Sequence, residues 1–289
     1  MDDWIKAGRV AAEAREYGRN LIKVGASLSE VTDKIEQKIK TLGGSCAFPV
    51  QMSKNDIAAH YTALWNENQV FREGDLVKLD LGVHVNGAIG DTACSINLGN
   101  HQALIKASEE ALANTLKSLR QGMKVHEIGK IIQTTIESHH FSPIKNLSGH
   151  GLNTYLVHDK PTIPNFDNND KYILNSGFIA IEPFATSGVG YVTDGKPSEI
   201  YRALKIKPTR SADTRVILKF IQEEYQGMPF AKRWLMQRFD KLKVTLALNS
   251  LEKEGSIMQY SQLVEKEKGF VSQTEHSVAI GEKIKILTA

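Results

Sequence analysis

The chain has 289 residues, 41% of them hydrophobic, with 36 Lys and Arg against 33 Asp and Glu and a formal charge of +3. That length and composition suit a soluble globular protein with a substantial core, in one large domain or two smaller ones. So even a charge balance does not point to nucleic acid or a membrane as main partner, the acidic start Met1-Asp2-Asp3-Trp4 is unlike a signal peptide, and no apolar run reaches the ~20 residues of a bilayer span.

Asp2 and Asp3 offer caps for a first helix running to about residue 24, with Gly25 as its stop. Ser27 and Glu30 have capping-box spacing. Leu28, Val31, Ile35, Ile39 and Leu42 then recur at intervals of three and four, the stripe of an amphipathic helix closed by Gly43-Gly44. The pattern returns: Gly122, Val125, Glu127, Ile128, Ile132 and Ile136 follow Gly25, Leu28, Glu30, Val31, Ile35 and Ile39 at a constant offset (122 − 25 = 97, 136 − 39 = 97). A structural duplication accounts for this, with each half pairing helices with part of a sheet; chance likeness of two amphipathic helices is the alternative. Residues 199–262 read as a helical insertion into the second half. Ser211 caps a helix to Tyr225 with Gly227 beyond it, and a further helix covers 240–254 before Gly255. Strand-like segments at 178–182 and 271–278 flank this block.

The segment 77–96 is the most informative. Val77, Leu79, Leu81, Val83 and Val85 alternate with Lys78, Asp80, Gly82 and His84, a strand with one apolar face. Asn86-Gly87 is the preferred two-residue type I′ hairpin turn, and it fixes the register. Val85 should face Ala88, Gly82 should face Asp91, and Asp80 should face Ala93. Asp80 and Asp91 then share one side as diagonal neighbours, where two carboxylates repel unless a cation or a proton intervenes. Gly82 is expected to leave room opposite Asp91. For this pair alone, two solvated aspartates on an exposed face are the competing reading.

Three more segments place an acid or an imidazole in unusual surroundings. His150 is flanked by Gly149 and Gly151, Glu182 ends the apolar run 178–181, and Glu275 follows Gln273-Thr274 near the end of the chain. Taken singly, His150 reads as an ordinary satisfied histidine and Glu275 as a solvated acid. Glu182 needs a partner, because a carboxylate at the end of a buried run is costly.

Taken together, these segments resemble the type II methionine aminopeptidases. The residues carrying the resemblance are Asn55-Asp56-Ile57-Ala58-Ala59-His60-Tyr61-Thr62, Lys78-Leu79-Asp80-Leu81-Gly82 with Gly90-Asp91-Thr92-Ala93, Ser148-Gly149-His150-Gly151, Ile181-Glu182-Pro183-Phe184 and Thr274-Glu275-His276. Five ligand motifs in order make a specific signal. The resemblance implies an α+β pita-bread fold, with two pseudo-symmetric halves around a dinuclear metal site. It divides the chain into a catalytic domain, 1–198 and 263–289, and a winged-helix-like insertion, 199–262, in the short form typical of archaea. It implies two divalent ions, Co, Mn, Fe or Zn, held by Asp80, Asp91, His150, Glu182 and Glu275, with Asp91 and Glu275 bridging. It implies hydrolysis of the first peptide bond after the initiator methionine by a bridging hydroxide, with a small second residue preferred. Glu182 is then the general base, His60 and His158 are substrate-binding catalytic histidines, and Phe48, Val157 and Ile200 line the methionine pocket. Ordinary surface or packing roles are the alternative for the two histidines, and plain core roles for those last three. The partner implied is the N-terminus of a peptide or nascent chain, with no membrane and no specific nucleic acid. Relatives are commonly monomeric. The insertion could shape the cavity mouth, touch the ribosome transiently, or only pack. Cys46 and Cys94 form no CxxC pair, which together with the family suggests a cytoplasmic enzyme.

Two rivals follow. A proline dipeptidase or X-Pro aminopeptidase keeps the same ligands but usually carries an extra N-terminal domain. A binding protein of the same fold would have lost ligands, and here every one is present.

Overall fold

The computed structural model describes residues 1–205 and 207–289. The first half comprises α1 (Asp2–Leu21), α2 (Leu28–Thr41), β1 (Ser45–Cys46), β2 (Gln51–Lys54), β3 (Ile57–Ala59), β4 (Leu76–Val85) and β5 (Ala88–Asn97). The second continues with α3 (Gln102–Ser118), α4 (Val125–Ser138), β6 (Ser142–Pro143), β7 (Ser148–Asn153), β8 (Leu156–Pro164), β9 (Gly177–Ile181), β10 (Phe184–Thr186) and β11 (Val192–Ala203). Then come α5 (Ala212–Tyr225), β12 (Phe230–Ala231), α6 (Lys232–Met236), α7 (Lys241–Lys253), β13 (Ile257–Glu265), β14 (Val271–Gln273), β15 (Glu275–Ile280) and β16 (Lys285–Ile286). Among the described residues no helix is long and apolar enough to cross a membrane.

Two expectations for α1 are corrected. Met1 is the N-cap residue and no side chain caps the helix; Asp2 and Asp3 lie in its first turn, where they face the positive end of the dipole instead. The helix also stops at Leu21, because Ile22 turns extended and Gly25 N–H donates to Phe71 O at 2.8 Å. For α2 the cap is as read: Ser27 accepts from Glu30 N.

The two halves repeat one another in structure. Helices α2 and α4 keep the sequence offset at both ends (125 − 28 = 97, 138 − 41 = 97). Gly25 and Gly122 both adopt left-handed backbone, with φ of 85° and 83°. Gly122 N–H donates to Leu174 O as Gly25 N–H does to Phe71 O, and bridges Ser27–Val70 and Lys124–Ile173 stand in matching places. Only a residue without Cβ takes that conformation at little cost.

One nine-stranded sheet joins the halves, in the order β1-β4-β5-β15-β9-β7-β8, with β2 added to β4 and β16 to β15. Its hairpin β4–β5 has the register set by the turn: Val85 opposite Ala88, Gly82 opposite Asp91, Asp80 opposite Ala93. Asn86 and Gly87 have φ of 51° and 86°, as a type I′ turn requires. Val77, Leu79, Leu81 and Val83 pack under α1 and α2 with Val10, Ala14, Ile35 and Ile39. In the second half Ile179, Ile181 and Val278 pack with Ile128 and Ile132 of α4. Each such side chain contributes roughly 1.5–3 kcal/mol when fully buried. A one-residue slip would put Asp80 into that core, so the register is strongly fixed. The face away from the helices carries Asp80, Asp91, His150 and Glu275, beside an apolar cluster that includes Phe48, Ile89, Leu152 and Ala180.

Strands β12, β11, β13 and β3 form a second sheet, and β14, β10 and β6 a third. Helices α5 to α7 pack on the second through Ile217, Leu218, Ile221, Leu235, Val244, Leu248 and Leu251, against Tyr201 and Phe230. Ser211 and Asp240 cap α5 and α7 by accepting from Thr214 N and Lys243 N. Positions 199 and 262 fall inside β11 and β13, which pair with each other.

Candidate metal centre and substrate cavity

Five neighbouring strands deliver the acids and the imidazole to one place. The β4–β5 hairpin presents Asp80 and Asp91 on one face. Strand β15 pairs with β5, Glu275 opposite Ala93, so Glu275 stands beside the hairpin carboxylates. Strand β9 ends at Ile181, which puts Glu182 at its tip, and β7 sets His150 opposite Ala180. Ligand atoms of Asp91, His150 and Glu275 all lie within 4.8 Å of one another. His150 Nε2 is 3.8 Å from Asp91 Oδ2 and 3.7 Å from Glu182 Oε1. Gln273 Nε2 points at the same cluster, 3.4 Å from Asp80 Oδ2, 3.5 Å from Glu182 Oε2 and 3.4 Å from Glu275 Oε2. An amide has two N–H groups, so it cannot serve all three carboxylates at once.

The charges here are poorly compensated by the protein. Glu275 and Asp91 are each only 2% exposed. Burial pushes Asp80 up to about 7. Burial, and then the neighbouring carboxylates, raise Asp91, Glu182 and Glu275 well above the usual carboxylate range. Asp80 Oδ1 and Asp91 Oδ1 are buried without a hydrogen-bond partner among the described residues. Burial lowers His150 to about 4, so it is neutral at physiological pH. Its Nδ1 lies 3.1 Å from Gly151 O, and donating there leaves the Nε2 lone pair facing the acids. Orphaned carboxylate oxygens plus a neutral imidazole with its lone pair aimed at them are a donor set suited to divalent cations.

The cluster forms one end of a cavity of about 210 Å³. All ten residues singled out in the sequence line it: Phe48, His60, Asp80, Asp91, His150, Val157, His158, Glu182, Ile200 and Glu275. Phe48, Val157 and Ile200 are buried, and Pro229, Phe184 and Leu263 extend the apolar lining. His60 sits at a φ of 65°, with Nδ1 at 3.0 Å from Ser261 O and its ring edge-on to Tyr260. Burial lowers its pKa. The His158 ring meets His150 edge-on at 4.4 Å and opens to solvent on the cavity side. Desolvation, then His150 and His60, lower its pKa.

The space at Gly82 is not left open opposite Asp91. The Phe48 ring fills it, and a Cβ there would fall 2.6 Å from Phe48 Cδ1. The solvated reading of Glu275 fails because β15 lies inside the sheet. Sequence reading missed Gln273, Tyr260 and Pro229. Gln273 stands two positions before Glu275, the spacing that keeps alternate residues on one face, and that was the available signal. Nothing local marks Tyr260 or Pro229.

Comparison with known proteins agrees with this geometry. The model of metallopeptidase family M24 matches residues 3–219. The methionine aminopeptidase of Methanocaldococcus jannaschii is 44% identical over 280 residues, 96% of this chain and 94% of its own. That of Pyrococcus horikoshii is 42% identical over 283 residues, 97% of this chain and 96% of its own. Among solved structures, a methionine aminopeptidase from Thermotoga maritima superposes with a TM-score of 0.71 at 22% identity, covering 99% of this chain and 95% of that one. A thermophilic Arx1 superposes at 0.86 with 14% identity, covering 99% and 90%. The prolidase of Pyrococcus horikoshii superposes at 0.63 with 18% identity, covering all of this chain but only 61% of the prolidase. These structural likenesses establish the pita-bread fold, and the sequence relatives narrow it: the chain belongs to metallopeptidase family M24, among its methionine aminopeptidases.

Proposed function

We propose that this chain removes methionine from the N-terminus of peptides and nascent proteins, using two divalent cations held by Asp80, Asp91, His150, Glu182 and Glu275. One observation carries the reading: five ligand-type side chains meet in a cavity of about 210 Å³ whose lining adds the apolar Phe48, Val157, Phe184, Ile200 and Pro229 to the polar His60, His158 and Tyr260, room enough for a thioether side chain and a peptide group. When bound, the ions supply charge compensation and Lewis-acid activation of water at neutral pH.

The chain's own residues then have distinct tasks. Glu182, beside His150 Nε2, accepts a proton from the attacking water and returns it to the leaving amine. His158 donates a hydrogen bond to the oxygen of the scissile carbonyl as negative charge develops there. His60, with Nδ1 donating to Ser261 O, keeps its other ring nitrogen for the substrate. Phe48, Val157 and Ile200 hold the methionine side chain. An apolar pocket of this kind rejects polar side chains better than it separates similar apolar ones. We place the catalytic domain at 1–198 and 263–289, with the helical insertion supplying one cavity wall through Ile200 and Pro229. The enzyme acts as a monomer in the cytoplasm, and transient docking at the ribosome would bring it nascent N-termini.

The test is release of methionine from a Met-Ala-Ser peptide with and without added manganese, with Glu182→Gln as control. Metal-dependent release abolished by that substitution is the expected result. A panel including Ala-Pro and X-Pro-X peptides separates this reading from a proline peptidase, because turnover confined to the proline substrates would replace it.

A further inference from the structure

We infer that the buried ion pair between Glu36 and Arg233 is a positioning clamp that sets the apolar wall of the substrate cavity; the inference rests on the aminopeptidase reading. Glu36 lies on the buried face of α2 in the first half, and Arg233 in the first turn of α6 in the insertion. The two are separated by 197 residues in sequence. Both terminal nitrogens of Arg233 reach the Glu36 carboxylate, Nη1 at 2.9 Å from Oε2. Trp234 Nε1 donates to the same Oε2 at 2.9 Å. The two side chains are 5% and 10% exposed.

The pair is linked to the cavity on both sides. Strand β12 leads directly into α6, and it pairs Ala231 with Ile200. Pro229, just before β12, lines the cavity together with Ile200. Lys232, adjacent to Arg233, donates to Glu199 Oε1 at 2.9 Å, next to Ile200. On the far side, α2 packs on β1, and the charges of Glu36 and Arg233 both act on Cys46 at the end of that strand. Two residues on is Phe48, which also lines the cavity and packs in one apolar cluster with Met228, the neighbour of Pro229. The clamp therefore fixes how Phe48 of the first half sits relative to Ile200 and Pro229 of the insertion.

Stability alone is a poor account of such a pair. Desolvating two charges costs about as much as their attraction returns, and apolar replacements of similar size are often as stable. A planar guanidinium fork on a carboxylate offers fixed geometry instead.

The experiment uses the manganese-loaded full chain and Met-Ala-Ser, with Glu36→Gln and the double variant Glu36→Met/Arg233→Met. Both variants are expected to raise KM about tenfold, the scale of a misfitted apolar contact, with kcat nearly unchanged. Backbone amides of residues 230–231 should exchange hydrogen faster in both. The double variant should keep the wild-type melting temperature, and it decides the matter if Glu36→Gln does not fold. Wild-type KM and wild-type exchange in the folded variants overturn the clamp. A wild-type chain that releases no methionine defeats the aminopeptidase reading instead, and the exchange comparison still judges the clamp.

Discussion

The ring of Phe48 lies on the bare Cα of Gly82, with Phe48 Cδ1 2.6 Å from where a Cβ would stand. Gly82→Ala therefore drives the ring toward the cavity. The expected cost is roughly 1–3 kcal/mol of stability, as for overpacking a well-filled core, together with a raised KM for methionyl peptides. Calorimetry and steady-state kinetics check both. A variant with wild-type melting temperature and KM would show that the ring moves aside freely.

His158 faces the reacting centre from beside His150, their rings 4.4 Å apart. His158→Ala is expected to lower kcat by about 10²-fold or more, as for loss of one oxyanion donor, with little change in melting temperature because the ring is exposed on the cavity side. Turnover close to wild type would remove His158 from the chemistry.

Metal affinity should rise steeply with pH. Burial holds Asp80 up at about 7, and burial with mutual repulsion holds Asp91, Glu182 and Glu275 well above their ordinary range. Cations bind the ionised forms, so at lower pH they must displace protons. The sign for the metal-free chain is the reverse of a normal salt bridge. Carboxylates with raised folded-state pKa bind more protons folded than unfolded, so their contribution to stability is lost as pH rises, for Asp80 from about 4 through about 7. His150, lowered to about 4, acts oppositely, and its contribution is lost as pH falls below its unfolded value. Comparison with Asp80→Asn isolates the carboxylate part. Titration calorimetry with manganese from pH 5.5 to 8 is the measurement, and a flat affinity would contradict the expectation.

Gln273 offers one amide to three carboxylates at 3.4–3.5 Å. Gln273→Leu is expected to cost the metal-free chain about 1 kcal/mol at neutral pH, the scale of one net hydrogen bond. The loss should shrink with manganese present, since the ions take over the neutralisation. Melting curves in EDTA and in manganese make the comparison. Equal losses in the two would reduce Gln273 to a packing role.

Much of the site could be read from local pattern. The strict alternation of Val77 to Val85 and the Asn86-Gly87 turn set the register that puts Asp80 and Asp91 on one side, because turn geometry and pleat are properties of neighbouring residues. Ser27, Ser211 and Asp240 cap their helices for the same reason. The start of the chain was less legible: Asp2 and Asp3 looked like caps, yet the helix begins one residue earlier, and where it ends depends on Phe71.

Short stretches of sequence suffice for the hairpin, for the helix boundaries marked by caps, and for the repetition that builds two matching halves. Long-range packing is what buries Glu275, seats Phe48 in the space at Gly82, lets Gln273 reach acids 91 and 193 residues away, and brings Glu36 to Arg233. Backbone periodicity and turns act over a few residues and leave a trace in spacing. Burial of a charge, and the partner that makes it tolerable, depend on which distant strands are brought alongside, and no short window of sequence contains that information.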